Sequence, residues 1–267
     1  MSKESHEWAL ILGASSGFGA AISLELARSG INIFGVHLDL RSTLPNAQRI
    51  VSEIEAMGRR AVFFNTTAAD ADKRAATLQS IQEVLREQGD DAYVRVFVHS
   101  LAFGTLLPFV ADNPKSAVSQ RQVEMTLDVM ASSLVYWVQG LMALKLMRRG
   151  SRIFAMTSSG SARVIKDYGA VSAAKAALES YIRQLACELA PLGITANAIR
   201  AGVTDTPALR KIPAGQALLE RVRRQNPSGR VTTPEDAAQA IAALSDPRTY
   251  WITGNVIGVD GGEDITA

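Results

Sequence analysis

What most constrains this chain is the alternation of short apolar runs with longer amphipathic stretches. Seven runs have the length of a strand: WALIL (8–12), INIFGVHL (31–38), AVFF (61–64), YVRVFVHS (93–100), RIFAMTS (152–158), ITANAI (194–199) and NVIGVD (255–260). Several are apolar with little alternation, the pattern of strands covered on both faces. Between them lie helical patterns, among them 20–28, 47–57, 73–88, 123–147 and 172–189. Strand and helix in repeated alternation predict an α/β fold: a single-domain Rossmann arrangement, a doubly wound sheet of seven parallel strands with helices on both faces. A chain of 267 residues can bury such a core. No linker or internal repeat divides it, so residues 1–267 read as one domain.

Composition removes several classes of function. The net charge of +2 is too small to imply nucleic acid, and Arg221, Arg223 and Arg224 read as a solvated helix face. The lone Cys187 excludes a disulfide framework and fits a reducing cytoplasm; its setting, LACEL, reads as core packing rather than a nucleophile. No run approaches about 18 consecutive apolar residues, so no membrane span is expected. The opening MSKESHE lacks the apolar segment of a signal peptide. The three histidines stand at no metal-ligand spacing, and no metal site is expected.

The first strand runs into GASSGFG, residues 13–19, and then directly into a helical pattern. Glycines at 13, 17 and 19 let the backbone turn sharply and approach a pyrophosphate, while the helix start offers free N–H groups and a positive dipole end. Gly13, Ser15, Gly17, Phe18 and Gly19 are the candidate dinucleotide contacts. After the second strand, VHLDLRS offers His37, Asp39 and Arg41 together. An acid there favours the ribose hydroxyls of NADH and an arginine favours the 2′-phosphate of NADPH, so both cofactors stay open. Asp39 lies slightly beyond the usual acid position, where a solvated side chain is an alternative.

The segment DYGAVSAAK, residues 167–175, carries a tyrosine seven residues before a lysine. On a helix, positions four apart differ by about 40° and positions seven apart by about −20°, so both spacings put the tyrosine on the lysine's face. The axial offset is about 6 Å in one case and about 10 Å in the other. The residue four before Lys175 is Val171, which donates no proton. A catalytic Tyr168 would therefore act from the helix start or the loop before it, with Gly169 easing the backbone path. The chemistry gives a reason for the displacement. Reduction of a ketone puts the negative charge on the oxygen of the attacked carbon. Reduction of a conjugated thioester at its β-carbon puts it on a carbonyl oxygen two carbons away.

These features, with SSGSAR (158–163), NAIRAGVTDTPAL (197–209) and NVIGVDGG (255–262), resemble the short-chain dehydrogenase/reductase superfamily along nearly the whole chain. Within it the chain is most similar to the divergent enoyl-acyl-carrier-protein reductases. Residues 206–230 resemble the substrate-loop region of the type III enzymes, and VHSLAF (98–103) resembles type I. The resemblance implies an NADH- or NADPH-dependent reduction of the trans-2 double bond of an enoyl thioester in fatty-acid biosynthesis. Tyr168 would stabilise the developing oxyanion, Lys175 would hold the nicotinamide ribose, and the thioester could be presented by acyl carrier protein. It also implies a homotetramer. The ordinary family asparagine would fall near Met130, and a second active-site tyrosine of type I enzymes would fall at Ser158. Ser158 or Ser159 is then either a substrate hydroxyl contact or a strand end.

The remaining candidates follow from strand exits. Ser100, Leu101 and Ala102 would run beneath the riboses, and His99 reads as a structural hydrogen-bond donor. Gly202 permits close approach, and the Val203 backbone and Thr204 hydroxyl are candidate contacts to the nicotinamide carboxamide. Thr206 would cap the next helix, with Pro207 in its first turn. Residues 204–228 read as a substrate lid with Leu209, Ile212, Leu218, Leu219 and Val222 on its apolar side, or as ordinary packing. Arg210, Lys211 and Arg221 could meet an acidic carrier. A 3-oxoacyl or carbonyl reductase, or a non-catalytic dinucleotide sensor, is the alternative function.

Overall fold

A computed structural model describes residues 6–211 and 215–266; Ile212 of the expected lid lies outside them. Seven strands form one sheet: β1 (Glu7–Leu12), β2 (Asn32–His37), β3 (Ala61–Asn65), β4 (Tyr93–His99), β5 (Arg152–Thr157), β6 (Thr195–Ala201) and β7 (Val256–Val259). All pairings are parallel, in the order β3-β2-β1-β4-β5-β6-β7. Chain direction across the sheet reverses between β1 and β4, and a crevice opens beyond the carboxyl ends of strands at such a switch point. Leu12 at the end of β1 sits opposite Val36 on one side and His99 on the other, so three strand exits converge there.

The pleat of the strands divides the core in two. Trp8, Leu10 and Leu12 face α3 (Ala71–Gln88), α5 (Ser133–Ala143) and α6 (Gly169–Leu189), packing with Trp137 and Leu178. Ala9 and Ile11 face the other way, toward α1 (Gly17–Arg28), α2 (Leu44–Ala56) and α8 (Pro234–Leu244), packing with Ile22, Ile50 and Ile241. Helix limits follow local chemistry. Asp70 accepts from the Lys73 N–H to open α3, and Gly89 at φ +116° closes it. Among the described residues no helix is long and apolar enough to cross a membrane.

The helix expected over 123–147 runs unbroken from 120 to 143 but is not α-helical throughout. It divides into α4 (Gln120–Leu127), a π-helical turn at Asp128–Ser132, and α5, and the chain leaves helix at Lys145 with φ +56°. The Ser133 hydroxyl donates to the Val129 carbonyl (2.8 Å) and lies 2.9 Å from His99 Nε2, so a side chain competes for the helix ladder where the extra residue is inserted. Cys187 is exposed, against the expected core position. The buried stripe of α6 runs through Ile182, Leu185, Ala186 and Leu189, and Cys187 falls one helical step outside it. The lid segment folds as a short 3-10 turn (Leu209–Lys211) followed by α7 (Gly215–Gln225), with Leu219 and Val222 turned inward.

Candidate functional site

Beyond the strand ends lies a cleft of about 250 Å³, framed by Phe18, Ser158, Tyr168, Val171, Thr204 and Leu218. At one end, the glycine-rich turn is defined by the backbone. Gly13 (φ +86°) and Gly17 (φ +52°) occupy the left-handed region. A Cβ at Gly13 would stand 2.6 Å from the Ser100 carbonyl oxygen, and one at Gly19 would stand 2.1 Å from that of Gly13. The turn is tied to β2 by the Gly13 and Ala14 N–H groups, which donate to the Val36 carbonyl, and Ser100 N–H donates to Leu12. Ser16 caps α1 without a side-chain hydrogen bond, leaving the first-turn donors without a side-chain acceptor. Such a cradle fits a dinucleotide pyrophosphate.

Asp39 is not solvated, contrary to one sequence alternative. Its carboxylate lies 2.7 Å from His37 Nδ1, and its backbone N–H donates to Asn65. Burial pushes its pKa up, but hydrogen bonds from Thr43, Ser15 and His37 outweigh this and hold it below the ordinary carboxylate value. Asp39 is thus an anion held by His37, with Ser15 of the glycine-rich turn nearby. Arg41, by contrast, is exposed.

At the other end of the cleft, Tyr168 is the cap residue of α6, and its carbonyl accepts the helix's first bond from Ser172 at 2.8 Å. Gly169 does not supply the unusual backbone expected of it. That falls on Asp167 at φ +60°, while Gly169 makes room for Phe109, whose ring would meet a Cβ at 2.6 Å. The Tyr168 ring lies against Gly160, where a Cβ would be 2.7 Å from it. Burial raises the Tyr168 pKa, a rise the neighbouring Ser158 hydroxyl opposes. Ser158 Oγ is itself buried and makes no hydrogen bond of regular geometry, and the residue lines the cleft.

Lys175 lies about two turns further along the same helix face. Its ammonium donates to the Met156 carbonyl (2.7 Å) and reaches that of Leu101 (3.5 Å). Burial lowers its pKa to about 8, an effect the Glu179 carboxylate opposes. Val171, four residues before it, is buried and forms part of the cleft wall with Met130 and Gly104. Where the resemblance leads to an asparagine, Met130 presents its sulfur toward Gly104 instead. His99 is fully buried, and burial followed by the Lys175 charge pushes its pKa down to about 3, so it is neutral.

Two of the groups expected near β6 already have partners within the chain. The Val203 N–H is not open to a carboxamide, because it donates to Glu263 at 2.9 Å. The Thr204 hydroxyl donates to the Gly202 carbonyl at 3.0 Å, which leaves it only accepting capacity. Thr206 Oγ1 accepts from Leu209 N–H, as a cap should, and Thr206 also faces Gly17 across the cleft. Leu209, Lys211 and Leu218 line the cleft, whereas Arg210 is engaged by Asp205. Gly104, Leu106, Gly160 and Ile165 also line it and carried no sequence signal of their own. Among the described residues, no group of three His, Cys, Asp or Glu could hold a metal.

Sheet, switch point and cleft together define a Rossmann-type oxidoreductase. A family model described as "Enoyl-(Acyl carrier protein) reductase" matches residues 13–263, and the chain belongs to that family of the short-chain dehydrogenase/reductase superfamily. It is 30% identical over 264 residues to a 1-cyclohexenylcarbonyl-CoA reductase of Streptomyces collinus, covering 97% of this chain and 87% of that protein. The crystal structure of an enoyl-[acyl-carrier-protein] reductase (NADH) from Aquifex aeolicus VF5 superposes with a TM-score of 0.83, covering 98% of each chain; at 24% identity it supports the fold. A short-chain dehydrogenase from Burkholderia cenocepacia J2315, solved in complex with NADP, is 26% identical, with a TM-score of 0.81 over 98% of this chain and 100% of that one.

Proposed function

We propose that this protein reduces the carbon–carbon double bond of an α,β-unsaturated acyl thioester with NADH or NADPH, as an enoyl-acyl-carrier-protein reductase does in fatty-acid biosynthesis. The observation that carries the reading is the pairing of Tyr168 at the start of α6 with an apolar, buried Val171 in the position four before Lys175. When bound, the dihydronicotinamide supplies a hydride to the β-carbon. The protein's task is then to stabilise charge on the thioester oxygen. Tyr168, kept protonated by burial, donates a hydrogen bond there, and the positive end of α6 adds to it. Ser158 offers a second hydroxyl beside it. The Lys175 ammonium binds the nicotinamide ribose and makes the local potential favour an anion.

Gly13, Ser15, Gly17, Phe18 and Gly19 would cradle the pyrophosphate, with Ser100, Leu101 and Ala102 under the riboses and Gly202, Val203 and Thr204 walling the nicotinamide. The anionic Asp39 beside Ser15 favours a ribose hydroxyl over a phosphate, and so NADH over NADPH. Leu209 and Leu218 give residues 204–228 the character of a lid over an apolar acyl group. The name of the Streptomyces relative describes an unsaturated acyl thioester of the same chemical kind. Family likeness also points to a homotetramer, measurable by sedimentation.

The decisive assay follows oxidation of NADH and of NADPH with crotonyl-CoA and with acetoacetyl-CoA. Turnover of the enoyl thioester is expected. Turnover of the ketone alone would replace this reading with a 3-oxoacyl or carbonyl reductase, and cofactor binding without turnover would leave a dinucleotide sensor.

A further inference from the structure

The segment after β7 touches both walls of the cleft without lining it. Asp260 fixes its own turn by accepting from the N–H groups of Gly262 (2.9 Å) and Asp264 (3.2 Å), where Gly261 (φ +64°) and Gly262 (φ +87°) allow the reversal. Asn226 and Ser228, just beyond α7, donate to the Asp260 and Gly261 carbonyls. From this anchored turn two acidic side chains project in different directions. Asp264 pairs with Arg163 and with Arg200, each at 3.0 Å. Arg163 lies in the loop that leads to Tyr168, and Arg200 lies in β6.

Glu263 points at the other wall. Its Oε2 accepts the Val203 N–H at 2.9 Å, and Val203 lines the cleft whereas Glu263 does not. A Cβ at Gly202 would stand 2.7 Å from that oxygen and 2.3 Å from Thr232 Oγ1, so only glycine lets the carboxylate and Thr232 come this close. Residues 202–206 have no regular secondary structure, and this N–H would otherwise lack a ladder partner. Burial raises the Glu263 pKa, the Val203 N–H and Arg163 oppose that rise, and the charges of Asp260 and Asp264 add to it. A half-buried carboxylate beside two other acids is a poor choice for stability alone.

We propose that Glu263 is a positioning residue, a strut behind the loop of residues 202–206 that holds it in the conformation able to receive the nicotinamide end of the cofactor. The proposal rests on the reading that this cleft holds a nicotinamide dinucleotide, and it requires nothing of the substrate. Its test is a titration of NADH and NADPH fluorescence against wild type, Glu263→Ala and Glu263→Gln, with thermal melts of all three. Alanine removes the acceptor and should weaken dinucleotide binding about tenfold. Glutamine keeps an acceptor oxygen at the same reach and should restore affinity to within about threefold. Equal affinity for wild type and Glu263→Ala would overturn the proposal, even if the melting temperature falls, because that is the signature of a merely structural contact. Glutamine as poor as alanine would overturn it too. A wild-type chain that binds neither dinucleotide overturns both the strut and the reading of the cleft. A chain that binds dinucleotide but reduces no enoyl thioester loses only its proposed reaction, and the titration still decides the role of Glu263.

Discussion

The two ends of the cleft are built on different principles. Around Gly13–Gly19 the site is backbone: positive φ angles, and carbonyl oxygens 2.1 and 2.6 Å from where a Cβ would stand. Around Ser158, Tyr168 and Lys175 it is side chain: a phenol at the start of α6, a hydroxyl without a regular partner, and a buried ammonium. Steric exclusion tolerates almost no substitution, whereas a hydrogen-bonding constellation can be dismantled one group at a time. The first end should fail as a unit and the second by function.

The sharpest break is Gly19→Ala. A methyl group cannot fit 2.1 Å from a carbonyl oxygen, so the turn must move. We expect a loss of about 3 kcal/mol in stability together with dinucleotide binding. Chemical denaturation and a cofactor titration would check it, and a variant that binds normally would refute the backbone account.

Tyr168→Phe should do the reverse. Turnover of an enoyl thioester should drop by about 10²- to 10³-fold, while dinucleotide affinity and melting temperature stay at wild-type values. Steady-state kinetics beside a binding titration separates the two ends. An unchanged rate would remove Tyr168 from the chemistry.

The ammonium of Lys175 ties the comparison to pH. With its pKa near 8, kcat/KM should be flat below about pH 8 and fall about tenfold per unit above it, as the charge is lost. The same proton leaves the folded, cofactor-free chain near pH 8 and the unfolded chain near 10.5. The buried ammonium therefore opposes folding fully below pH 8, and its opposition fades as the pH rises toward 10.5. Relative to Lys175→Met, the cofactor-free wild type should gain stability across that window, which melts at stepped pH would measure.

The smallest effect lies where the two principles meet. Asp39 is a side chain beside the glycine-rich turn, and Asp39→Asn removes its charge while keeping its shape. The ratio of NADPH to NADH affinity should rise about tenfold, the scale of one charge against a phosphate. An unchanged ratio would give the choice of cofactor to another group, with Arg41 the next to test.

Much of this was legible in the order of residues. The seven strands appear within a residue or two of their predicted ends, because apolar runs of that length can be buried on two faces in few other ways. The glycine spacing was readable for a similar reason: sterics at Gly13 and Gly19 act on the chain's own neighbours. The spacing from Tyr168 to Lys175 fixed their shared helix face. Where reading failed, the cause was contact across the sequence. Cys187 missed the core by one helical step, and the helix over 123–147 takes in a π turn where Ser133 meets His99 and ends at 143.

The sequence by itself determined the sheet, the glycine-rich turn and the offset of Tyr168 from Lys175, since each follows from periodicity or from backbone sterics over a few residues. Only the tertiary structure decided what those groups face. The Val203 N–H is claimed by Glu263, 60 residues further along the chain. Asp39 is turned onto His37 rather than into water. Lys175 is carried into a medium that lowers its pKa to about 8. Hydrogen-bond partners and desolvation depend on what packs nearby in space, and neither distance along the chain nor residue type encodes that directly.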